Sequence, residues 1–540
     1  MPEYTLSDYH EKSKHRLDRY APGPGWLDWA NQPEAFRSFA GAARIELPLG
    51  ADLLEARYTD LRRGALAPPR PICLDSIAIL FELSLGVSAW KSYGGSSWAL
   101  RCNPSSGNLH PTEGYLVAGQ VPGIEAGIYH YHSRDHALER RGAWSMVPAE
   151  SRGGAAGGFL IGLTSIYWRE AWKYGMRAFR YCQHDGGHAI AAVSYAAAAL
   201  GWRAGVLVSP SDAEIAALLG LNRDDDFVGA EREAPECLIW IGAPGAEPEV
   251  PSPPQRWSGA ANRLSSEHVR WEDIERVAQC TEKPATAAIA QRRIADTASE
   301  RGELLAGARS DPSAARVIRQ RRSAQAFDGK TNVGEQAFYA MLDATLPREG
   351  APPWCAWPYP VDVHPMLFVH RVEGLEPGLY AFVRDPRAIE PLRNAMRSDW
   401  LWHRVGPNGL PLFLLVAYDL RDAARAICCH QDIAAESCFA LGMLSRFDRA
   451  RAESWRYRAL HWECGMLGQV LYLEAEAAGI RGTGIGCFFD DEMHALLGLQ
   501  GNAWQSLYHF TAGGAIEDQR LTSLPAYAFE RARSAARSIR

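Results

Sequence analysis

The second half of the sequence repeats the first half, and this repeat constrains the fold more than any other feature. At an offset of 278 residues, the distance from Gly201 to Gly479, glycines, acidic residues and leucines of 187–221 recur in 465–499. Nearer the start of each half, Gly-Ile-Glu-Ala-Gly-Ile-Tyr at 123–129 matches Gly-Leu-Glu-Pro-Gly-Leu-Tyr at 374–380. Two matching tracts in the same order indicate two tandem copies of one α+β unit.

The length and the proline content predict where the copies begin and end. A chain of 540 residues is too long for one ordinary core, since domains usually hold about 100–200 residues. Proline and glycine are dense from 243 to 260, which favours a linker over a strand or helix. We predict a first domain over 1–245 with a wrapping N-terminal segment whose tryptophans are buried, a Pro-rich and then helical linker over 246–310, and a second domain over 311–540.

Hydrophobic patterns predict the main elements of the first domain. A helix should start at Asp75 or Ser76 as its cap, and a second, alanine-rich helix should run from 177 to 201. The predicted strands cover 115–119, 127–131, 159–164 and 204–208.

The composition favours a globular protein with a small-molecule partner. Hydrophobic residues make up 47% of the chain, and the formal net charge of -6 provides no basic surface for nucleic acid or an anionic membrane. The N-terminus lacks a signal-peptide pattern, and no window of about 20 uncharged apolar residues could span a membrane. Eleven scattered cysteines without a Cys-x-x-Cys pair predict reduced thiols and a cytoplasmic protein.

The least generic stretch is a polar loop at 101–108. Short hydrogen-bonding side chains alternate there with residues that fix or free the backbone, so the loop can lie flat against a planar heteroaromatic ligand. Composition alone favours an ordinary surface turn. The candidate ligand-binding residues of the loop are Arg101, Asn103, Pro104, Ser105, Ser106, Gly107 and Asn108.

Residues 104–111, Pro-Ser-Ser-Gly-Asn-Leu-His-Pro, resemble the Pro-Ser-Ser-x-Asn-x-x-Pro signature of the nitroreductase-like flavoproteins. Together with 172–185, they resemble the SagB/ThcOx branch, the azoline dehydrogenases of thiazole and oxazole peptide biosynthesis. The resemblance implies FMN as the cofactor and an α+β fold of two nitroreductase-like α/β domains, each a mixed sheet flanked by helices. Because the family typically forms intertwined homodimers with flavin at the interface, a tandem copy would be an intramolecular pseudo-dimer, either monomeric or further paired as a homodimer.

The second half carries motifs that resemble the family's flavin cradle. Residues 321–327 match an Arg-Arg-Ser-x-x-x-Phe pattern whose guanidinium groups reach phosphate and ribityl, although Gln325 replaces a second basic residue. Three alternating glycines at 482–486 would let a strand approach a flat ring. From the residues alone, a solvated basic helix start and a glycine-kinked core strand are the alternatives. The implied cofactor-binding residues are Arg321, Arg322, Ser323, Gly482, Thr483, Gly484, Ile485, Gly486 and Arg520.

Each half lacks what the other half keeps. The first half has Lys12-Ser-Lys-His15 in place of the double arginine and Ala204-Gly-Val-Leu-Val in place of the glycine-rich strand. The second half has a proline-rich tract, 352–360, in place of the serine loop. One composite FMN site, with the loop from the first copy and the cradle from the second, uses every intact motif. A second, weaker site at the degenerate interface remains an open alternative.

Lys173 and Tyr174 are the candidate catalytic residues. The azoline dehydrogenases carry a Lys-Tyr pair at a comparable place, which implies an acid and a base around hydride transfer. From the residues alone, a solvent-facing pair on a helix is favoured. The second half has no such pair near 451–455, so the acid/base pair belongs to the half with the serine loop.

His184 and His188 are spaced for one face of a helix and could bind a metal. No third ligand follows at a suitable spacing, so packed or hydrogen-bonded histidines are favoured and no metal is predicted.

The leading expectation is an FMN-dependent oxidoreductase that transfers hydride between a small-molecule or peptide substrate and flavin N5. The first alternative is an NAD(P)H-dependent reductase of nitro or quinone compounds, and NAD(P)H is therefore a candidate partner. The second is a flavin-binding module without turnover, and the third is a metal-dependent hydrolase at His184 and His188.

Overall fold

The computed structural model describes residues 4–146, 158–242, 250–287 and 311–527. The helices before residue 288 are α1 (Leu6–Lys12), α2 (Tyr58–Arg63), α3 (Leu74–Ser84), α4 (Tyr167–Tyr174), α5 (Ala178–Ala199), α6 (Asp212–Leu219) and α7 (Glu272–Cys280). The strands are β1 (Phe39–Ala40), β2 (Ala43–Glu46), β3 (Val87–Tyr93), β4 (Ser96–Arg101), β5 (Thr112–Ala118), β6 (Gly127–His132), β7 (Ala137–Ala143), β8 (Gly158–Ser165), β9 (Arg203–Val206), β10 (Ala234–Gly242), β11 (Arg256–Trp257) and β12 (Ala260–Ala261).

The part of the chain from 311 onward contains a comparable set. Its helices are α8 (Ala314–Gln320), α9 (Glu335–Ala344), α10 (Ile389–Ala395), α11 (Arg421–Ile427), α12 (Asp432–Glu436), α13 (Asp448–Ala452), α14 (Arg456–Ala477) and α15 (Asp490–Leu497). Its strands are β13 (Val363–Val369), β14 (Gly378–Phe382), β15 (His403–Val405), β16 (Leu412–Ala417), β17 (Phe439–Arg446), β18 (Arg481–Ile485), β19 (Trp504–Gly513) and β20 (Thr522–Pro525). The α+β class predicted from the sequence is confirmed.

The two large sheets have corresponding strand orders. The first runs β11-β7-β6-β5-β8-β10-β9, with β2 also beside β7, and the second runs β15-β16-β14-β13-β17-β19-β18. Where the chain is described, the named strands pair antiparallel. Parallel contacts are isolated bridges, such as Ser323 with Gly482 beside β18, so the predicted mixed character is limited to these bridges.

The repeat predicted at 278 residues is visible in the helices. The helices α5 and α14 are both 22 residues long and pack across each other at Gly187 and Gly465. A Cβ on Gly187 would collide with the Trp462 carbonyl oxygen, and a Cβ on Gly465 with the His184 carbonyl oxygen. The contact is therefore equivalent from both sides, as in a two-fold dimer interface. One hydrophobic core includes both helices, which confirms the predicted intramolecular pseudo-dimer.

Helix ends repeat in the same way. The helices α6 and α15 both stop at a glycine in the left-handed region, Gly220 at φ 74° and Gly498 at φ 70°. A residue with a Cβ is strained in that conformation, so glycine at this position ends each helix cheaply and turns the chain into the next strand.

A third sheet joins the two domains near the serine loop. The strands β3 and β4 form a hairpin that leads into the loop, and β20 from the end of the chain pairs with β3. Tyr527, just beyond β20, accepts a 2.8 Å hydrogen bond from the Val87 amide. The C-terminal arm therefore fixes the base of the hairpin from which the serine loop projects.

The predicted elements of the first domain are present as α3, α5, β5, β6, β8 and β9. The start of α3 differs, because Cys73 is the cap residue and the Ser76 hydroxyl accepts the Cys73 amide at 3.2 Å. The N-terminal segment wraps onto the second domain through His10, which is 2.9 Å from Gln505. Its tryptophans were expected to be buried, but Trp26 and Trp29 are 74% and 65% exposed.

The predicted linker packs along the first domain over its described part, 250–287. Proline density predicts no strand there, yet Arg256 and Trp257 pair with β7. Two residues at a sheet edge need few ladder hydrogen bonds, so the neighbouring prolines are tolerated. The connector from 288 to 310 lies outside the described residues, and the three domain boundaries stay predictions.

Candidate functional site

The serine loop follows β4 and makes a tight turn over Ser106–Asn108. Gly107 and Asn108 both have φ 59°, a conformation that glycine and asparagine adopt most readily. The Ser105 hydroxyl accepts the His110 amide at 2.8 Å, and the Asn108 side chain donates to the Ala99 carbonyl at 2.9 Å. These bonds explain why short polar residues are required here. One face of the turn remains directed towards the second domain.

A cavity of about 320 Å³ separates this loop from the glycine-rich strand of the second domain. The volume is in the range of small-ligand sites. The first domain contributes the loop and the hairpin, and the second contributes 321–325, β18 and the turn after β19. Predicted residues that line the cavity are Arg101, Pro104, Ser105, Ser106, Gly107, Asn108, Arg321, Arg322, Ser323, Thr483 and Gly484.

Two arginines form the cationic end of the cavity. Arg321 donates to the Arg101 carbonyl at 2.7 Å, its guanidinium lies over the Tyr472 ring, and its buried Nε has no hydrogen-bond partner among the described residues. Arg322 lies 3.3 Å from the Ser88 hydroxyl. Burial lowers the pKa of Arg321 and, helped by the Arg321 charge, lowers the pKa of Arg322 to about 10. Within the described chain neither arginine pairs with a carboxylate, so an anion would relieve this unfavourable pair.

Acidic residues lie under the serine loop on the opposite side. Asp185 lines the cavity and accepts the Ser106 amide at 3.1 Å and hydroxyl at 3.3 Å. Glu170 accepts from the Ser105 hydroxyl at 3.5 Å. Burial raises the pKa of Asp185 to about 7, and burial followed by the Asp185 charge raises the pKa of Glu170. Near neutral pH these raised pKa values favour the protonated form of the two carboxyls.

Lys173 and Tyr174 approach the same loop at Gly107. A Cβ on Gly107 would meet the Tyr174 hydroxyl and would lie 3.1 Å from the Lys173 ammonium nitrogen. Burial, followed by the Glu170 charge, raises the pKa of Tyr174, so the phenol keeps its proton at neutral pH. Both predicted catalytic residues are thus at the loop, although they stand behind Gly107 rather than in the cavity lining.

Four predicted cofactor-binding residues have other roles in the structure. The Arg101 guanidinium donates to the carbonyls of Ala35 at 2.7 Å and Thr112 at 3.2 Å, so it supports the loop from behind. The Asn103 side chain is buried below the loop. Ile485 packs in a hydrophobic cluster of the second domain. The exposed Arg520 binds the Asp518 carboxylate two residues away, at 2.8 Å, and lies over the Tyr93 ring. This local pairing keeps Arg520 out of the cavity.

The alternating glycines of β18 admit rings of the protein itself. A Cβ would collide with Phe510 at Gly482, with Tyr508 at Gly484 and with Tyr181 at Gly486. Within this strand only Gly484 belongs to the glycines that line the cavity, and its amide donates to the Tyr472 hydroxyl at 2.8 Å. The sequence predicts that these glycines let the strand approach a bound flat ring, whereas internal packing explains Gly482 and Gly486, and the prediction for Gly484 stays a prediction.

Sequence reasoning missed several residues of the site. Asp185 was part of the tract that carries the resemblance, but nothing in its spacing indicates that burial would raise its pKa. Glu170 occupies the same helix as Lys173, one turn earlier, and periodicity could have placed it on the same face. Other lining residues that were missed include Lys91, His188, Tyr472, Arg481 and Tyr508.

His184 and His188 pack against aromatic rings. His184 stacks on Tyr508 with ring centres 4.2 Å apart, and the His188 Nε2 lies 3.2 Å from the Tyr508 hydroxyl. Burial lowers the pKa of His188 to about 3. Over the described ranges, no three His, Cys, Asp or Glu side chains are grouped as metal ligands. Nor does any helix in those ranges have the length and apolar character needed to cross a bilayer.

The equivalent place in the first domain is filled by the chain. There β9 corresponds to β18, and the turn Trp354–Ala356 occupies the position of the serine loop beside β9. Arg203 donates to the Gly350 carbonyl at 2.7 Å, and a Cβ on Gly64 would lie 3.0 Å from the Gly350 carbonyl carbon. Lys12–His15, expected in place of the double arginine, lie elsewhere, since Lys14 binds Asp491 at 3.0 Å.

Comparison with known proteins agrees with this architecture. Residues 318–514 match the Nitroreductase family. A crystal structure of a protein from Anabaena variabilis, described as a nitroreductase, superposes with a TM-score of 0.67 and 22% identity over 94% of this chain and 99% of that chain. The chain therefore has the fold of that protein over nearly its whole length, and its second half matches the Nitroreductase family.

A curated relative is similar to part of the chain. The trifolitoxin-processing protein TfxB of Rhizobium leguminosarum bv. trifolii is 32% identical over 147 residues. The match covers 25% of this chain and 39% of the length of TfxB. The chain thus spans less than half of the length of this relative.

Proposed function

We propose that the chain is an FMN-dependent oxidoreductase of the SagB/ThcOx type, with one composite FMN site that transfers hydride between a substrate and the flavin. One observation carries the proposal: Ser105 and Ser106 of the first domain line the same cavity as Arg321, Arg322 and Gly484 of the second domain. Motifs that resemble two parts of a family flavin site are far apart in sequence and adjacent in space.

The side chains around the cavity fit FMN. Arg321 and Arg322 form a desolvated cationic pair without a carboxylate partner in the described chain, which suits a phosphate group. Ser323 and Thr483 supply hydroxyls between this end and the serine loop, where a ribityl chain would bind. Gly107 and Gly484 line the cavity without a side chain, so their backbone can approach a flat ring closely. When bound, FMN supplies the redox chemistry, and the protein supplies orientation and proton control.

Proton handling falls to the groups under Gly107. Tyr174 keeps its proton at neutral pH and can donate it, and Lys173 lies within reach of the same loop. Asp185 and Glu170 bond to the loop serines from below, and their raised pKa values favour the protonated carboxyls that can replenish the pair. These roles make Lys173 and Tyr174 the catalytic acid/base pair and make Asp185 and Glu170 its reservoir.

The substrate is proposed to be a peptide with azoline-like rings. The SagB/ThcOx resemblance implies this class, and the similarity to a toxin-processing protein supports it. A small-molecule substrate with NAD(P)H as the electron donor is the alternative within the same site. The eleven free cysteines support a cytoplasmic location.

The proposal is tested with the purified, flavin-loaded chain under anaerobic conditions. A peptide that contains a thiazoline or oxazoline ring should bleach the flavin absorbance, and Lys173→Ala with Tyr174→Phe should slow this bleaching by about 10²–10⁴-fold. Arg451→Ala, at the equivalent helix of the second domain, is the control and should leave the rate unchanged. Bleaching by NAD(P)H but not by the peptide would assign a reductase, and bleaching by neither would leave only a flavin-binding module.

A further inference from the structure

Two cysteines from separate segments of the second domain meet just beyond the glycine-rich strand. Cys487 lies two residues after β18, and Cys429 lies in the turn that follows α11. Their sulfur atoms are 2.9 Å apart. Both side chains are partly exposed, so a small solute can reach them. This pair belongs neither to the cofactor cavity nor to the acid/base group.

The backbone around the pair is held in place from two sides. The Gln431 side chain donates to the Cys428 carbonyl at 2.8 Å and to the Cys487 carbonyl at 3.0 Å, which ties the two segments together. Cys429 has φ 53°, a left-handed conformation that a cysteine adopts only when its surroundings fix it. The contact between the thiols is therefore built into the fold.

His15 and Arg177 make one of the two sulfurs a nucleophile. The His15 Nδ1 accepts the Ala21 amide at 3.0 Å, so the proton sits on Nε2 and can be donated to Cys487. The hydrogen bond from Cys429, followed by His15 and Arg177, lowers the pKa of the Cys487 thiol to about 5 against the effect of burial. The same hydrogen bond raises the pKa of Cys429. These surroundings favour the thiolate form of Cys487 over that of Cys429.

We propose that Cys487 and Cys429 form a hydroperoxide-reactive dithiol, a modification site outside the cofactor cavity. The Cys487 sulfur attacks one oxygen of a hydroperoxide, so an S–O bond forms, the O–O bond breaks, and an alcohol leaves with a proton from solvent. The Cys429 sulfur then attacks the Cys487 sulfur, so an S–S bond forms and water leaves with the Cys429 proton. The two thiols lose two electrons, and the hydroperoxide is reduced to an alcohol and water.

The product would join the turn after α11 to the segment that continues β18. Gly484, which lines the cavity, is three residues from Cys487. A thiol reductant would reverse the bond by exchange.

The test uses the reduced, full-length chain and hydrogen peroxide as the probe, at one equivalent. Free-thiol titration should fall by two, and the intact mass should fall by about 2 Da. Peptide mapping should find Cys429 linked to Cys487, and dithiothreitol should release the link. A low pKa raises the fraction of Cys487 present as thiolate, although each such thiolate is a weaker nucleophile. The first effect is the larger one, so Cys487 should react roughly tenfold faster than the partly exposed Cys73.

Variants separate the two roles. Cys429→Ser should let dimedone trap a sulfenic acid on Cys487, whereas Cys487→Ser should leave Cys429 unmodified. Cys73→Ser is the matched control and should behave as the parent chain. Equal reactivity of Cys487 and Cys73, or no linked peptide after peroxide, would overturn the proposal. Competitive alkylation of the unsubstituted chain gives the same comparison if a variant does not fold, and none of these readouts depends on flavin.

Discussion

The two equivalent places in this pseudo-dimer differ in what occupies them. Beside β18 the serine loop stands back and leaves a cavity of about 320 Å³, whereas beside β9 the turn at Trp354 and the backbone of Gly350 fill the same position. The strand orders and the central helices correspond, so the fold has kept its symmetry while the sites have not. In a homodimer one substitution changes both sites, but in a tandem chain each site has its own residues. One site can therefore lose its binding residues while the other site keeps them.

The acids under the two loops show the same contrast. Asp185 of α5 and Glu463 of α14 are equivalent by the 278-residue offset. Glu463 is tied to the Arg384 guanidinium and to the Asp362 amide at 3.0 Å. Asp185 receives hydrogen bonds from the neutral Ser106 and faces the cavity. Within the described chain, the open site thus keeps an acid that is not paired with an arginine, and the filled site keeps an ion pair.

The largest effect should come from the cationic end of the open site. Arg321→Gln with Arg322→Gln should weaken FMN binding by about 10²–10⁴-fold, because two charge-assisted contacts are lost at about 1.5–3 kcal/mol each. Arg203→Gln at the filled site is the control and should leave the affinity unchanged. Fluorescence titration with FMN measures both. Equal losses in the two variants would erase the distinction between the sites.

Alanine at either crossing glycine of α5 and α14 should lower the free energy of unfolding by a similar amount. Gly187→Ala and Gly465→Ala should each lower the free energy of unfolding by about 2–4 kcal/mol, since each new Cβ meets a carbonyl oxygen of the other helix. Gly186→Ala, whose Cβ would meet only the flexible Trp462 ring at 3.3 Å, should be neutral or stabilising. Denaturant unfolding measures all three variants. A large loss at only one of the crossing glycines would contradict two-fold equivalence.

The two edge strands should respond differently to an added methyl group. Gly484→Ala in β18 should cost about 1–3 kcal/mol and reduce FMN affinity, because its Cβ meets the Tyr508 hydroxyl. Gly205→Ala in β9 should be tolerated, since nothing lies within 4 Å of its Cβ. Thermal melts with and without FMN measure the difference. If Gly205→Ala were the more damaging, the assignment of the open site to β18 would be wrong.

The smallest effect concerns pH. Burial raises the pKa of Asp185 to about 7 in the native state, whereas in the unfolded state the carboxyl loses its proton near pH 4. Between about pH 4 and pH 7 the native state therefore binds a proton that the unfolded state has released. Asp185 consequently lowers the free energy of unfolding more and more as the pH rises through this range. Asp185→Asn should therefore gain about 1–2 kcal/mol relative to the parent chain between pH 5 and pH 8. Urea unfolding at both pH values measures this gain. A difference that does not change with pH would show that Asp185 is ionised throughout.

The sequence predicted the repeat, the central helices and eleven of the residues that line the cavity, because these depend on local patterns and on the spacing of Gly201 and Gly479. The sequence could not predict that Gly64 and Gly350 would meet at the filled site beside β9, since no motif marks a filled site. Arg520 failed as a phosphate ligand because Asp518, two residues away, binds it first. The role of Asp185 depends on its burial, which a sequence does not record.

The number of FMN molecules bound per chain tests the central claim most directly. The purified chain is saturated with FMN, freed of excess, denatured, and its released flavin is quantified against the protein concentration. One composite site predicts one FMN per chain, lost when Arg321 and Arg322 are replaced and retained when Arg203 is replaced. Two FMN per chain, or one that persists without Arg321 and Arg322, would contradict the account.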